Sequence, residues 1–113
     1  MMWLSAMLAA TMALHAGTRV VLHWRPPAKS AEAVAGYNVY RMDTKSPAWI
    51  KINPKLVHSP TYMDKTVQPG EAYTYVIRSV DGEGHESAPS SPWSVKIPKG
   101  SKQKVIEAKQ AAP

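Results

Sequence analysis

Cysteine is absent from this 113-residue chain, which excludes disulfides, a thiolate nucleophile and any cysteine-based zinc site. The absence leaves the compartment open, because exported chains can lack cysteine as well. Charge is missing over a defined stretch: all 14 Lys and Arg and all 8 Asp and Glu stand at or after Arg19. Length is limited too. One domain fits, with a core large enough to fold without staples.

What charge there is lies unevenly. From Lys96 onward five lysines face Glu107 alone, so +4 of the formal net charge of +6 belongs to the C-terminal end. The body from Gly17 to Val95 carries the remaining +2, an ordinary surface rather than a basic binding face, and no specific nucleic-acid partner is expected. The lysines of the tail would engage anionic polymer, lipid headgroups or nucleic acid in a salt-sensitive way, or would serve solubility only.

Residues 1–16 are apolar and free of charge, Pro and Gly, and they run into the small residues Ala16-Gly17. Their length suits a secretory leader and is short for a membrane span, although no Lys or Arg precedes the apolar run. The reading is a signal peptide-like leader and a secreted or periplasmic protein, with no stable membrane span once the leader is cleaved. The alternatives are an uncleaved membrane anchor and a first strand built from residues 8–16.

After Gly17, turn signals recur every eight to twelve residues between short stretches of period-two hydrophobicity, the rhythm of an all-β sandwich. Val20, Leu22 and Trp24 alternate with Arg19, Val21 and His23 before Pro26-Pro27 stops the strand. Tyr37 and Val39 alternate with Asn38, Tyr40 and Met42. Tyr73, Tyr75 and Ile77 alternate with Thr74, Val76 and Arg78. A final strand carries Trp93, Val95 and Ile97, and Pro89 and Pro92 mark it as an edge. Trp49–Ile52 and Thr61–Asp64 read as shorter strands, with Tyr62 facing inward. Residues 99–113 read as a basic, disordered tail whose Lys104-to-Ala112 portion forms at most a transient helix.

The most telling stretch is Val67-Gln68-Pro69-Gly70-Glu71-Ala72-Tyr73. A Pro-Gly turn feeds a strand whose tyrosine sits three residues after the glycine, where its hydroxyl can reach a backbone group just upstream. Together with the tryptophan ending Thr18–Trp24, the Val34–Arg41 strand and Gly84-His85-Glu86-Ser87 leading into the last strand, it makes residues 18–98 resemble a fibronectin type III domain of the kind found in secreted bacterial proteins. The resemblance implies an all-β, immunoglobulin-like sandwich of two sheets and six to seven antiparallel strands. It places Trp24, Tyr37, Tyr73, Ile77 and Val95 in the shared core, with Trp24, Tyr37 and Tyr73 as structural residues. One departure follows from the leader: the family's first strand would fall inside it, so cleavage after Ala16 would leave a six-stranded domain with an open edge that a partner strand could extend.

No catalytic chemistry is legible. The four histidines stand at no metal-ligand spacing; Glu83, His85 and Glu86 share a hairpin loop but read as a solvated turn, so no metal and no cofactor is expected. The serines lack a nucleophile elbow and a His-Asp set. The scattered acids lack a cleft between them. What remains is surface. If Tyr37 and Tyr73 point inward, Tyr40, Met42, Val76 and Arg78 point outward from adjacent strands, an aromatic-arginine patch suited to contact with protein or cell-surface polysaccharide, or an ordinary set of cross-strand pairs. The expected function is a non-catalytic, extracytoplasmic module for protein interaction or adhesion, with carbohydrate binding as a weaker variant. The alternative is a spacer domain of a longer secreted or cell-surface protein with no ligand of its own.

Overall fold

A computed structural model describes residues 17–27, 33–100 and 104–110. Period-two alternation in β1 (Arg19–His23) sends Val20 and Leu22 fully into the interior and leaves Arg19, Val21 and His23 half-buried outside. The two long strands β2 (Val34–Asp43) and β5 (Ala72–Asp81) bury Tyr37, Val39, Tyr73, Tyr75 and Ile77 by the same alternation. Among the described residues four shorter strands complete the set: β3 (Ile50–Lys51), β4 (Thr61–Asp64), β6 (Trp93–Lys96) and β7 (Val105–Lys109). They form a three-stranded sheet in the order β4-β1-β7 and a four-stranded sheet in the order β3-β2-β5-β6. The two apolar faces meet, and Trp24 stands edge-on to Tyr37 between them, with ring centroids 5.3 Å apart. All-β architecture in two packed sheets is therefore what the alternation implied. Among the described residues no helix is long and apolar enough to cross a membrane.

Two glycines are required by geometry. At Gly36 an added Cβ would meet the Leu56 side chain and approach the Val57 carbonyl oxygen to 2.8 Å. The close approach lets the neighbouring Tyr37 exchange both backbone hydrogen bonds with Val57. Gly70 turns the chain into β5 with φ of +84°, a conformation that side chains disfavour, and its N–H donates to the Ile97 carbonyl. Across that turn the Gln68 N–H donates to the Tyr73 hydroxyl oxygen over 2.8 Å. The corner tyrosine thus ties β5 to the strand connection upstream of it. Replacing Tyr73 with Phe removes one hydrogen bond at a cost of about 1 kcal/mol, read as a melting temperature lower by roughly 4–8 °C.

A polar cluster links the two sheets where Arg41 ends its run of the inward face. Asp64 of β4 is buried, and its Oδ2 accepts from the Tyr75 hydroxyl (2.7 Å) and from Arg41 Nη1 (2.9 Å). Its Oδ1 accepts from the hydroxyl and the N–H of Thr66 at 2.7 and 3.0 Å. Four donors thus satisfy one carboxylate, and Arg41 lies 4.8 Å above the Tyr73 ring. Burial pushes the Asp64 carboxyl up, but the bonds from Tyr75, Thr66 and Arg41 outweigh it and hold the group below the usual carboxylate range. Burial and the neighbouring Asp64 charge push the Tyr75 phenol far above its ordinary value.

The C-terminal segment departs from the expectation of a disordered or transiently helical tail. Val105–Lys109 is a strand that pairs in parallel with β1, Val20 opposite Ile106 and Leu22 opposite Ala108. Ala108 is buried and Ile106 packs against the core, while Val105, Glu107 and Lys109 face outward. Among the described residues this is the one parallel pair, and the other strand pairs are antiparallel. The segment has too few large apolar residues to announce a strand, and its partner is more than eighty positions away. The edge expected to lie open if residues 1–16 are cleaved is consequently occupied: β1 has β4 on one side and β7 on the other. The alternative of a first strand from residues 8–16 lies outside the described residues.

Candidate functional site

The outward face of the four-stranded sheet carries the most developed surface feature. Tyr40 of β2 and Val76 of β5 are direct cross-strand partners, with Asn38 opposite Arg78 one step along and Met42 opposite Thr74 on the other side. The connection into β3 raises Trp49 on one flank of this pair, and the β5–β6 connection raises Pro89 and Pro92 on the other. Between them runs an open groove of about 500 Å³, with Arg78 and Glu86 among its lining residues. Trp49 is 44% exposed and its neighbour Ile50 is 53% exposed, whereas Val76, although on the outward face, is only 7% exposed. An exposed indole beside a covered valine describes a slot rather than a flat sheet.

Local hydrogen bonding explains why the proline-bearing wall holds its place. Proline cannot join a ladder, so serines substitute for the missing pairing. Ser87 donates its N–H to the Ser79 carbonyl and accepts the Ser79 N–H on its hydroxyl; Ser90 does the same with Ile77. The connection is thus clamped at two points along the edge of β5, and Pro89 and Pro92 stand as fixed walls.

A polar chain fixes the acidic end of the groove. Buried Asn53 accepts the Val39 N–H and donates to the Asn38 side-chain oxygen at 2.9 Å. Asn38 in turn donates to Glu86 Oε2 at 2.7 Å, and the Tyr40 hydroxyl donates to the same oxygen at 2.6 Å. The Tyr40 bond is the main reason that Glu86 lies below the usual carboxylate range, with Asn38, Arg78 and Lys51 adding to it against burial. The same bond, with burial adding to it, raises the Tyr40 phenol above its ordinary value. Arg78 donates Nη1 to the Ser87 carbonyl over 2.8 Å and lies 5.8 Å from the Tyr40 ring centroid.

Of the four residues expected on this face, Tyr40, Val76 and Arg78 line the groove; Met42 lies on the same face but is not among its lining residues. Sequence reading missed the rest. Trp49 was expected in a short strand, Glu86 in a solvated turn, and Pro89 and Pro92 only as edge markers. The signal for Trp49 was its position two residues before Lys51, which pairs with Tyr40 and so fixes the face. Trp24, Tyr37 and Tyr73 are all buried. In the hairpin loop Asp81, not Glu83 or Glu86, is the organising acid: it accepts the N–H groups of Glu83 and His85, and its other oxygen meets His85 Nδ1 at 3.3 Å. Among the described residues no group of three or more His, Asp or Glu gathers as metal ligands would.

A model of the fibronectin type III domain matches residues 11–96, which span β1 through β6 and stop short of β7. This chain belongs to that family. Among solved structures, this fibronectin type III chain is similar to the Twitchin kinase region from C. elegans, at 19% identity and a TM-score of 0.51. That match covers 59% of this chain and 12% of the Twitchin chain, in which the domain is one module of a multidomain protein. It is similar also to an Fn3-like protein from Clostridium thermocellum, at 20% identity and a TM-score of 0.48, over 86% of this chain and 94% of that one. The Twitchin likeness shows the fold alone and assigns no ligand.

Proposed function

We propose that this fibronectin type III unit is a non-catalytic, extracytoplasmic interaction module that contacts a protein partner through the groove on its four-stranded sheet. The observation that carries the reading is Trp49, a large aromatic left 44% exposed at the rim of a slot floored by Tyr40 and Val76. Tryptophan, tyrosine and arginine are the side chains that concentrate binding energy at protein interfaces, and here all three border one slot. The extracytoplasmic part rests on the leader-like composition of residues 1–16.

Retention of the tagged chain on a cell-envelope fraction tests the reading. Trp49→Ala and the double change of Tyr40 and Arg78 to Ala are each expected to reduce retention by about tenfold or more, as loss of a hot spot of about 1.4 kcal/mol or more requires. Far-ultraviolet circular dichroism and melting should stay near the parent values, because these side chains lie outside the shared core. Equal retention by all three proteins would remove the groove from the function and leave the spacer reading.

A further inference from the structure

We infer that the groove takes an extended segment of a protein partner bearing an acidic side chain for Arg78 next to an apolar side chain for the slot between Trp49 and Pro92; this rests on the groove being the contact surface. Arg78 has an acid for a neighbour and does not pair with it. Glu86 feels the Arg78 charge, yet its bonded oxygen is taken by Tyr40 and Asn38, and the described residues place no ion pair between Arg78 and Glu86. Arg78 commits Nη1 to the Ser87 carbonyl. Its remaining guanidinium donors have no partner among the described residues, and a planar fork of N–H groups is the shape a carboxylate matches.

The local charge agrees. Lys51 also bears on Glu86, so two cations stand beside one acid at this end of the groove. A cationic ligand would meet Tyr40 with Arg78 already beside its ring, 5.8 Å from the centroid. An acidic ligand completes the set. Beside Arg78 the slot changes character: Trp49, Val76, Pro89 and Pro92 line it, surfaces for an aliphatic side chain. A volume of about 500 Å³ accommodates a few residues of extended chain rather than a folded element. The ligand class is thus an acidic-apolar pair of adjacent residues, held at one end by charge and at the other by burial.

The experiment uses the full chain and short fluorescein-labelled peptides, acetylated and amidated so that no terminal carboxylate competes, that differ in one central pair: Asp-Leu, Asn-Leu or Asp-Gly. Fluorescence polarisation should show Asp-Leu binding about tenfold more tightly than Asn-Leu at low salt, as expected for a charge-assisted pair, and the margin should shrink as salt screens it. Arg78→Gln should abolish the preference for Asp over Asn, Lys51→Gln should reduce it, and Trp49→Ala should weaken Asp-Leu and Asn-Leu alike. Each variant's melting curve is recorded alongside. Equal affinity for Asp-Leu and Asn-Leu, lost on Trp49→Ala, overturns the acidic specificity while leaving the groove as the contact surface. Salt-insensitive binding of a neutral oligosaccharide such as cellohexaose, with no peptide bound, overturns it in favour of a glycan. No peptide binding, together with unchanged envelope retention by Trp49→Ala, overturns this inference and the groove reading together.

Discussion

Deletion of residues 101–113 is expected to lower the melting temperature by roughly 10 °C, from the loss of about 2 kcal/mol of apolar burial at Ile106 and Ala108. The truncated protein is also expected to associate as its concentration rises. The reason lies in β1. With β7 in place, β1 is an interior strand whose backbone groups pair on both sides, from the Arg19 N–H on the Lys104 carbonyl to the Gln110 N–H on the His23 carbonyl. Without it, the five residues of β1, Val20 and Leu22 among them, lose their partner on that side and offer a template for pairing between molecules. Glu107 would also leave His23, to which it lies within 2.7 Å. That contact is exposed and contributes little, so the effect belongs to burial and pairing. Thermal melting and sedimentation velocity over a concentration series check both parts. One control separates the strand from mere length: a chain ending at Gln110, which keeps β7, should melt within a few degrees of the parent. A truncated protein that melts and sediments like the parent would show that β7 contributes nothing to the sandwich.

Asp64→Ala should have the larger effect on stability. It strips the acceptor from Tyr75, Arg41 and Thr66 at once and leaves a guanidinium partly buried without its counter-charge. Breaking a buried pair from one side costs about 3–5 kcal/mol, or a melting temperature lower by roughly 15–30 °C for a domain of this size. Tyr75→Phe should cost less, about 1–3 kcal/mol, because the carboxylate keeps three of its four donors. The same cluster gives acid sensitivity a definite sign. The folded Asp64 carboxyl lies below its unfolded value, as burial is outweighed by the bonds from Tyr75, Thr66 and Arg41. Its stabilisation is therefore complete above the unfolded value of about 3.9 and is lost as pH falls through the folded one. The melting temperature of the parent should fall steeply below about pH 4, and Asp64→Asn should flatten that part of the profile. A parent and an Asp64→Asn protein with parallel acid profiles would rule the cluster out as the cause.

The difference between these two sites and the corner at Tyr73 is a difference in range. The Pro69-Gly70 turn and Tyr73 act within a few residues of each other, and the Gln68 to Tyr73 bond could be expected from their spacing alone. The outward setting of Tyr40, Val76 and Arg78 followed from alternation within β2 and β5 once the inward tyrosines were known. Asp64 sits at the end of a four-residue strand, where nothing local distinguishes a buried acid from a surface one. Thr66 is a local partner, but Tyr75 and Arg41 come from the opposite sheet, so the role of Asp64 depends on how the sheets stack.

The sequence by itself determined the alternation, the turns and the tyrosine corner, and with them the fibronectin type III fold, because each depends on neighbours two to five positions apart. It also showed that no cysteine chemistry is available. Only the tertiary structure decided that the basic C-terminal segment is a strand, because the edge that stabilises it belongs to β1 at the other end of the chain. Only the tertiary structure assembled the groove, since Trp49 and Pro92 face each other across a sheet whose strand order puts them on opposite flanks of β2 and β5. Pairing energy accrues to whichever strands lie side by side, and that adjacency is a property of the packed chain.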